Sequence, residues 1–165
     1  MDRTTCIVVA DSEIARFYGI EEVESPRVKV ALVERKMLSN ETDLKVLGTS
    51  VTGRVRTETN TDRGSGPVHP MGAQRERHRG EIDRRFGRDI AQQTGEIARG
   101  WKQGTVVLIA EPHLLGLVRE PLRKALHQGI ELKELAKDYT HCTASELHEH
   151  LVLNKLIPAR RADAG

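Results

Sequence analysis

The sequence lacks the features that mark membrane and secreted proteins. No apolar run approaches the ~18 residues that a transmembrane helix needs, and the first residues lack the apolar segment and cleavage site of a signal peptide. We therefore expect a cytoplasmic protein with no membrane insertion. Aromatic residues make up only 3% of the 165 residues, so the core has to be built mainly from Val, Ile, Leu and Ala.

Cysteine and net charge are also low. Cys6 and Cys142 form no CxxC pair, and Cys6 lies in an apolar run where a small buried side chain is expected. Cysteine usage therefore requires no oxidising compartment. The formal net charge of +2 is too small to indicate nucleic-acid binding by itself, so the distribution of charge along the chain matters more.

Hydrophobic patterning predicts one α/β domain over residues 1–155. Short β-branched or alternating runs predict strands at residues 4–10, 14–20, 28–34, 105–110 and 130–136, with a helix as the alternative for the last. Apolar side chains three or four apart predict helices over 82–101 and 112–126, the second split or kinked at Pro121. A capping box at residues 143–146 opens a final helix.

The order of these elements, β-β-β-α-β-α-β-α, predicts a mixed five-stranded sheet of the ribonuclease H-like type. Short connections make the first three strands antiparallel, and right-handed crossovers place helices on both faces. The nearly all-apolar strand at residues 105–110 is expected inside the sheet and parallel to the first strand.

Two segments are expected to lie outside the regular elements. Residues 40–80 are rich in Gly, Pro, Ser, Thr, Asn and Arg, which predicts a long irregular loop more mobile than the sheet. Residues 156–165 are expected to form a flexible tail.

Three stretches of the chain carry a resemblance to a known family. They are Val8-Val9-Ala10-Asp11-Ser12 with Ala15-Arg16-Phe17, Ala110-Glu111-Pro112-His113-Leu114-Leu115-Gly116-Leu117-Val118-Arg119, and Lys137-Asp138-Tyr139-Thr140-His141 followed by Ala144-Ser145-Glu146-Leu147. In this order they resemble the bacterial host attachment protein family, the proteins required for attachment to host cells. The family's domain is similar to the central domain of archaeal and eukaryotic class-one translation release factors.

The resemblance implies a partner such as RNA, tRNA or the ribosome. Release factors carry Gly-Gly-Gln in a mobile loop before the long helix, and this chain has Gly72-Ala73-Gln74 at the same place. An alternative function is therefore a hydrolase of tRNA esters in which Gln74 positions water. The family name implies a further alternative, a regulator needed for surface or host attachment.

Arginine density supports a polyanion partner independently of the resemblance. Nine arginines and no lysine lie between residues 54 and 88. The planar guanidinium binds phosphate bidentately, which suits RNA. The arginines that we predict to bind RNA are Arg75, Arg77, Arg79, Arg84, Arg85 and Arg88. Ion pairing at i,i+4, such as Glu81 with Arg85, is the structural alternative.

Two residue sets could suggest a metal site. Asp11, Asp83 and Glu111 fall near positions that two-metal nucleases of this fold use. Structural roles explain them better, because Asp11 suits a turn, Asp83 can pair with a nearby arginine and Glu111 precedes Pro112. A zinc site could be suggested by His141, Cys142, His148 and His150, but His148 and His150 are two apart on a helix and diverge. We expect no metal and no cofactor.

These observations together favour a non-catalytic cytoplasmic binding protein that acts on RNA or the translation machinery. The tRNA-ester hydrolase and the attachment regulator stay as alternatives, and the sequence leaves the oligomeric state open.

Overall fold

The computed structural model describes residues 4–24, 28–40 and 68–157, with side chains described for 4–22, 30–40 and 77–157. Within these ranges the chain forms five strands and three helices. They are β1 (Thr4–Ala10), β2 (Ile14–Glu24), β3 (Val28–Ser39), α1 (Val68–Ile97), β4 (Gly104–Ala110), α2 (Pro112–Ala125), β5 (Ile130–Ala136) and α3 (Ala144–Leu153). No described helix is both long and apolar enough to cross a membrane.

The strands form one mixed sheet in the order β3-β2-β1-β4-β5. β2 is antiparallel to β1 and β3, whereas β4 is parallel to β1 and β5. The predictions of a mixed ribonuclease H-like sheet and of an interior β4 parallel to β1 are confirmed. Residues 130–136 form a strand and not the alternative helix.

Helices cover both faces of the sheet, which is why β1 and β4 are apolar at almost every position. Val8 and Leu108 point to the face covered by α1 and α2, where they pack with Phe86. Ile7 and Val107 point to the opposite face and pack with the buried residues of α3. Consecutive strand residues alternate between the two cores, as the pleat requires.

α1 and α2 pack closely side by side because glycine removes side-chain bulk between them. A Cβ on Gly87 would lie 3.1 Å from the Leu117 carbonyl oxygen, and one on Gly95 would lie 3.1 Å from the Cβ of Ala125. Pro121 does not split α2, which runs unbroken from Pro112 to Ala125. Val118 and Leu122 are fully buried on either side of Pro121, so core packing holds both turns in place.

The prediction that residues 68–80 belong to a loop is wrong, because α1 already begins at Val68. The apolar stripe used to predict the helix begins only at Ile82, whereas residues 73–77 include Ala, Gln, Arg and Glu, which favour helix without an apolar face. Pro70 lies in the first turn, where proline is tolerated. Residues 41–67 of the predicted loop lie outside the described part.

The predicted flexible tail also begins too early. Ile157 is buried in the α3-side core, and Leu156 packs against the same cluster. Two apolar side chains just beyond the helix end therefore continue the packing of α3. Residues 158–165 lie outside the described part.

Candidate functional site

The exposed side of α1 is a surface of arginines. Ile82, Phe86 and Ile90 point into the core at helical spacing. The exposed residues of the described part of α1 include four arginines: Arg77, Arg84, Arg85 and Arg88. We call these four side chains the arginine face. α1 is fixed to the sheet by its buried stripe, so this face is carried on a rigid support.

The arginine face is not neutralised by the neighbouring side chains that the structure describes. Glu81 lies four residues before Arg85, but no salt bridge joins them, and none joins Arg77, Arg84 or Arg88 to another described side chain. The pair of Glu81 with Arg85 that the sequence suggested is therefore not formed. Among the described side chains, no carboxylate pairs with these four guanidinium groups.

The remaining candidates on α1 differ in their surroundings. Arg79 is exposed but interacts with another residue and lies on a different side of the helix from Arg77. Gly72, Ala73 and Gln74 were expected in a mobile loop, and the structure places their backbone within α1. Their side chains, and that of Arg75, lie outside the described part.

A second polar group lies where β1 ends, on the segment between β5 and α3. The Oγ1 atom of Thr140 is 2.9 Å from Oδ2 of Asp11 and 2.8 Å from Oδ1 of Asp138. Thr140 is only 3% exposed. The other oxygen of Asp11 accepts the backbone N–H groups of Glu13 and Ile14 at 2.7 and 2.8 Å, which closes the turn between β1 and β2.

His141 completes this group, which we call the Thr140 cluster. Ligand atoms of Asp11, Asp138 and His141 lie within 4.8 Å of one another. Carboxylate and imidazole are ligand types that divalent cations accept. The hydroxyl of Thr140 has one proton and can donate it to one carboxylate at a time, so it links the two acidic residues without neutralising them.

The metal sets considered from the sequence do not come together. Asp83 is buried with its Oδ2 3.7 Å from Nε2 of His113, and Oε1 of Glu111 caps α2 by accepting the Leu114 N–H at 3.3 Å. In the part of the chain that the structure describes, neither residue joins Asp11 in a group with metal-ligand spacing.

The histidines of the possible zinc set also separate. His148 is fully buried, whereas the ring of His150 stacks on Tyr139 with 4.5 Å between centroids. His141 instead approaches Asp11 and Asp138.

A polar cleft of about 420 Å³ adjoins the Thr140 cluster. It lies between β2, β3 and the start of α3, and its lining consists of Arg16, Tyr18, Glu34, Thr140, His141, Cys142, Thr143 and Ala144. Nη1 of Arg16 binds Oε1 of Glu34 at 2.8 Å across the two strands.

Tyr18 and Cys142 of the cleft are not prepared to act as nucleophiles. Burial, and then the charge of Glu34, raise the pKa of the Tyr18 hydroxyl above its ordinary value. Burial, and then the charges of Glu146 and Asp138, raise the pKa of the Cys142 thiol. Both groups therefore keep their protons at neutral pH, although the thiolate is the reactive form of cysteine.

Sequence reasoning did not connect the residues of this region. Asp11 and Thr140 are 129 positions apart, and pattern analysis along the chain has no means of joining them. A signal was nevertheless present, since Asp11, Arg16, Asp138, Thr140 and His141 all lie in the stretches that carry the family resemblance. Their meeting in one place is a structural result.

The fold and its surfaces define a ribonuclease H-like α/β domain with a basic helix on one face of the sheet and a polar cleft on the other. The family described as "Protein required for attachment to host cells" matches residues 6–151, so the chain belongs to that family. No curated protein matches the sequence.

The type II variant of the Ppx/GppA phosphatase of Aquifex aeolicus is among the solved structures that show a distant likeness. The match has 9% identity and a TM-score of 0.35, and it covers 81% of this chain and 36% of that chain. This chain therefore spans about a third of that structure's length, and a likeness at this level carries no argument about function.

Proposed function

We propose that this member of the attachment family is a non-catalytic protein that binds RNA, including RNA of the translation machinery, through the arginine face of α1. One observation carries the proposal. Arg77, Arg84, Arg85 and Arg88 are exposed on one helix and form no salt bridge with another described side chain. Unpaired arginines on a surface favour a polyanionic partner, because each one placed on a phosphate releases bound counterions.

The chemistry of arginine supports phosphate as the group recognised. The guanidinium presents five donors in a planar fork that matches phosphate oxygens, whereas lysine is a compact point charge. The region between residues 54 and 88 contains no lysine, although the chain uses lysine elsewhere. A helix fixed by Phe86 and Ile90 holds the four side chains at set spacings, which lowers the entropic cost of binding.

Binding without catalysis is also supported by the polar cleft on the other face. The raised pKa values of Tyr18 and Cys142 leave both groups protonated. The Oδ1 atom of Asp11 already accepts two backbone N–H groups. RNA binding is compatible with the family's description, because an RNA-binding regulator can alter attachment through the synthesis of surface components.

The test is filter binding of RNA across a salt series. Replacing Arg77, Arg84 and Arg88 together by Ala should lower affinity at least tenfold at low salt and flatten the salt dependence. Gln92→Ala is the matched control, because Gln92 is uncharged and exposed on the same side of α1. Absent binding, or binding that the triple variant retains, would contradict the proposal.

The same mixtures can test the hydrolase alternative with an aminoacyl-tRNA substrate. We expect the ester to remain intact with the wild-type protein. Ester release that Gln74→Ala abolishes, with RNA binding preserved, would instead assign the catalytic function.

A further inference from the structure

The arrangement of charge around α1 indicates which class of RNA the arginine face binds. We infer that the arginine face binds a single RNA strand in preference to an RNA duplex, an inference that rests on the proposed function and specifies its ligand. Three features of the described residues lead to it: a narrow row of arginines, the spacing along that row and the charge on each side of it.

The row is narrow because of the positions that the arginines occupy. An α-helix turns by about 100° per residue, so Arg77, Arg84 and Arg88 fall within an arc of about 40°. Arg85 is exposed beside this row, about 100° from Arg84. Arg77, Arg84 and Arg88 therefore follow a line parallel to the helix axis, with the single carboxylate of Glu81 between the first two. A line of mainly positive charge matches one phosphate backbone.

The spacing along the row suits neighbouring phosphates of one strand. With a rise of about 1.5 Å per residue, Arg84 and Arg88 are separated by about 6 Å along the axis, and Arg77 lies about 10 Å before Arg84. Arginine side chains are long enough to make up the difference between these spacings and the distance between neighbouring phosphates. Proteins that bind single strands use a positively charged path of this kind to follow the backbone.

The flank towards β3 begins with Arg85 and becomes acidic beyond it, where a second strand would be repelled. Asp89 and Glu96 are exposed on that side of α1, and both line a shallow pocket with Leu38 and Ser39 at the end of β3. The phosphates of a second strand placed there would meet carboxylates. Like charges at short range lower affinity, which is a means of excluding a wrong partner.

On the flank formed by α2, two arginines are each paired with a glutamate, and among the described residues only Lys124 at the helix end adds an exposed cation without a salt bridge. Arg119 is held by Glu134, with Nε at 2.9 and 3.0 Å from the two carboxylate oxygens. Arg123 lies 3.7 Å from Glu120 near the helix end. Double-stranded RNA is bound through contacts to phosphates of both strands across successive grooves, which needs charge on separated elements.

The experiment measures fluorescence anisotropy of the full chain with two RNA probes over a salt series. One probe is an unstructured oligouridine of about 12 nucleotides, which is within the usual site sizes for single strands. The other probe is a blunt RNA duplex of about the same length. We expect the single strand to bind at least tenfold more tightly than the duplex.

Single substitutions locate the contact. Arg84→Ala and Arg88→Ala should each reduce the salt slope for the single strand by about 0.7, the value for one phosphate contact. Glu81→Gln removes an exposed negative charge that lies between Arg77 and Arg84 along the row, and it should strengthen binding. Arg123→Ala removes one positive charge outside the row, and it should leave the slope unchanged.

The outcomes separate the two proposals. Equal or tighter binding of the duplex, still weakened by Arg84→Ala, overturns the single-strand inference and leaves RNA binding in place. Binding of neither probe overturns both. Circular dichroism of each variant confirms that α1 is retained, as expected for substitutions at exposed positions.

Discussion

At the scale of single residues, the Thr140 cluster shows how one buried hydroxyl joins distant parts of the chain. Thr140 links Asp11 at the end of β1 to Asp138 just after β5. The carboxylate of Asp11 also accepts the N–H groups of the turn between β1 and β2. The carboxylate of Asp138 also accepts the backbone N–H of Thr140. The geometry at the carboxyl end of the sheet therefore depends on a side chain that is only 3% exposed.

Thr140→Val tests that dependence, because valine keeps the shape and removes the donor. We expect a loss of about 1–3 kcal/mol in the free energy of unfolding, because the substitution removes the hydrogen bond from a buried hydroxyl to charged carboxylates. Urea denaturation measures it. Ser145→Ala is the control, since Ser145 is exposed in the first turn of the neighbouring helix and should change stability by less than about 0.5 kcal/mol. Equal effects of the two substitutions would contradict this role of Thr140.

The capping box of α3 makes stability depend on pH. The backbone N–H of Thr143 donates to Oε1 of Glu146, and the Glu146 N–H donates to Oγ1 of Thr143. The hydrogen bond from the Thr143 backbone, and then that of its side chain, lower the pKa of Glu146. A lowered folded-state pKa means that the carboxylate stabilises the protein above its ordinary pKa and loses this effect as pH falls through the folded-state value.

Thermal unfolding of the wild type and of Glu146→Gln over a range of pH measures this effect. The wild type should have the higher Tm at neutral pH, and the difference should shrink as the solution is acidified below the ordinary pKa of glutamate. A difference that stays constant with pH would show that the charge of Glu146 is not involved. Glu131→Gln is a control outside the capping box, because Glu131 is exposed on β5.

At the scale of elements, the sequence predicted what local patterning encodes. β4 was recognisable because both its faces are buried, and α3 because Thr143 and Glu146 form a capping box. The start of α1 was missed because residues 68–80 have helix propensity without an apolar stripe. The continuity of α2 at Pro121 was missed because tertiary packing of Val118 and Leu122 supports the helix there.

Replacing two glycines of α1 by alanine should change the stability of the protein in opposite directions. A Cβ on Gly87 would meet the backbone oxygen of Leu117 at 3.1 Å, so Gly87→Ala must push α2 away and should destabilise the protein by about 1–3 kcal/mol. A Cβ on Gly80 would have Nη1 of Arg84 as its nearest contact at 3.6 Å. Gly80→Ala should therefore raise stability by up to about 1 kcal/mol through helix propensity.

Chemical denaturation of both variants checks this pair, and each serves as the control of the other. The prediction fails if Gly87→Ala is as stable as the wild type, because α1 and α2 would then not depend on close contact at that position.

At the scale of the whole molecule, the sheet separates two surfaces. The arginine face belongs to the layer that packs on Val8 and Leu108, and the polar cleft lies on the α3 side with Tyr18 and Cys142. The arginine face could be predicted from composition, since its members are close in sequence. The cleft could not, because it depends on how β2, β3 and the segment after β5 meet in space.

The distribution of the two cysteines has a practical consequence for studying this molecule. Cys6 is 2% exposed and burial raises its pKa to about 12, so its thiol is shielded from alkylating reagents. Cys142 is partly exposed on the α3 side of the sheet. A maleimide dye should therefore attach at one position without mutagenesis. The label would lie across the sheet from α1, where it can report rotational diffusion without obstructing the arginine face.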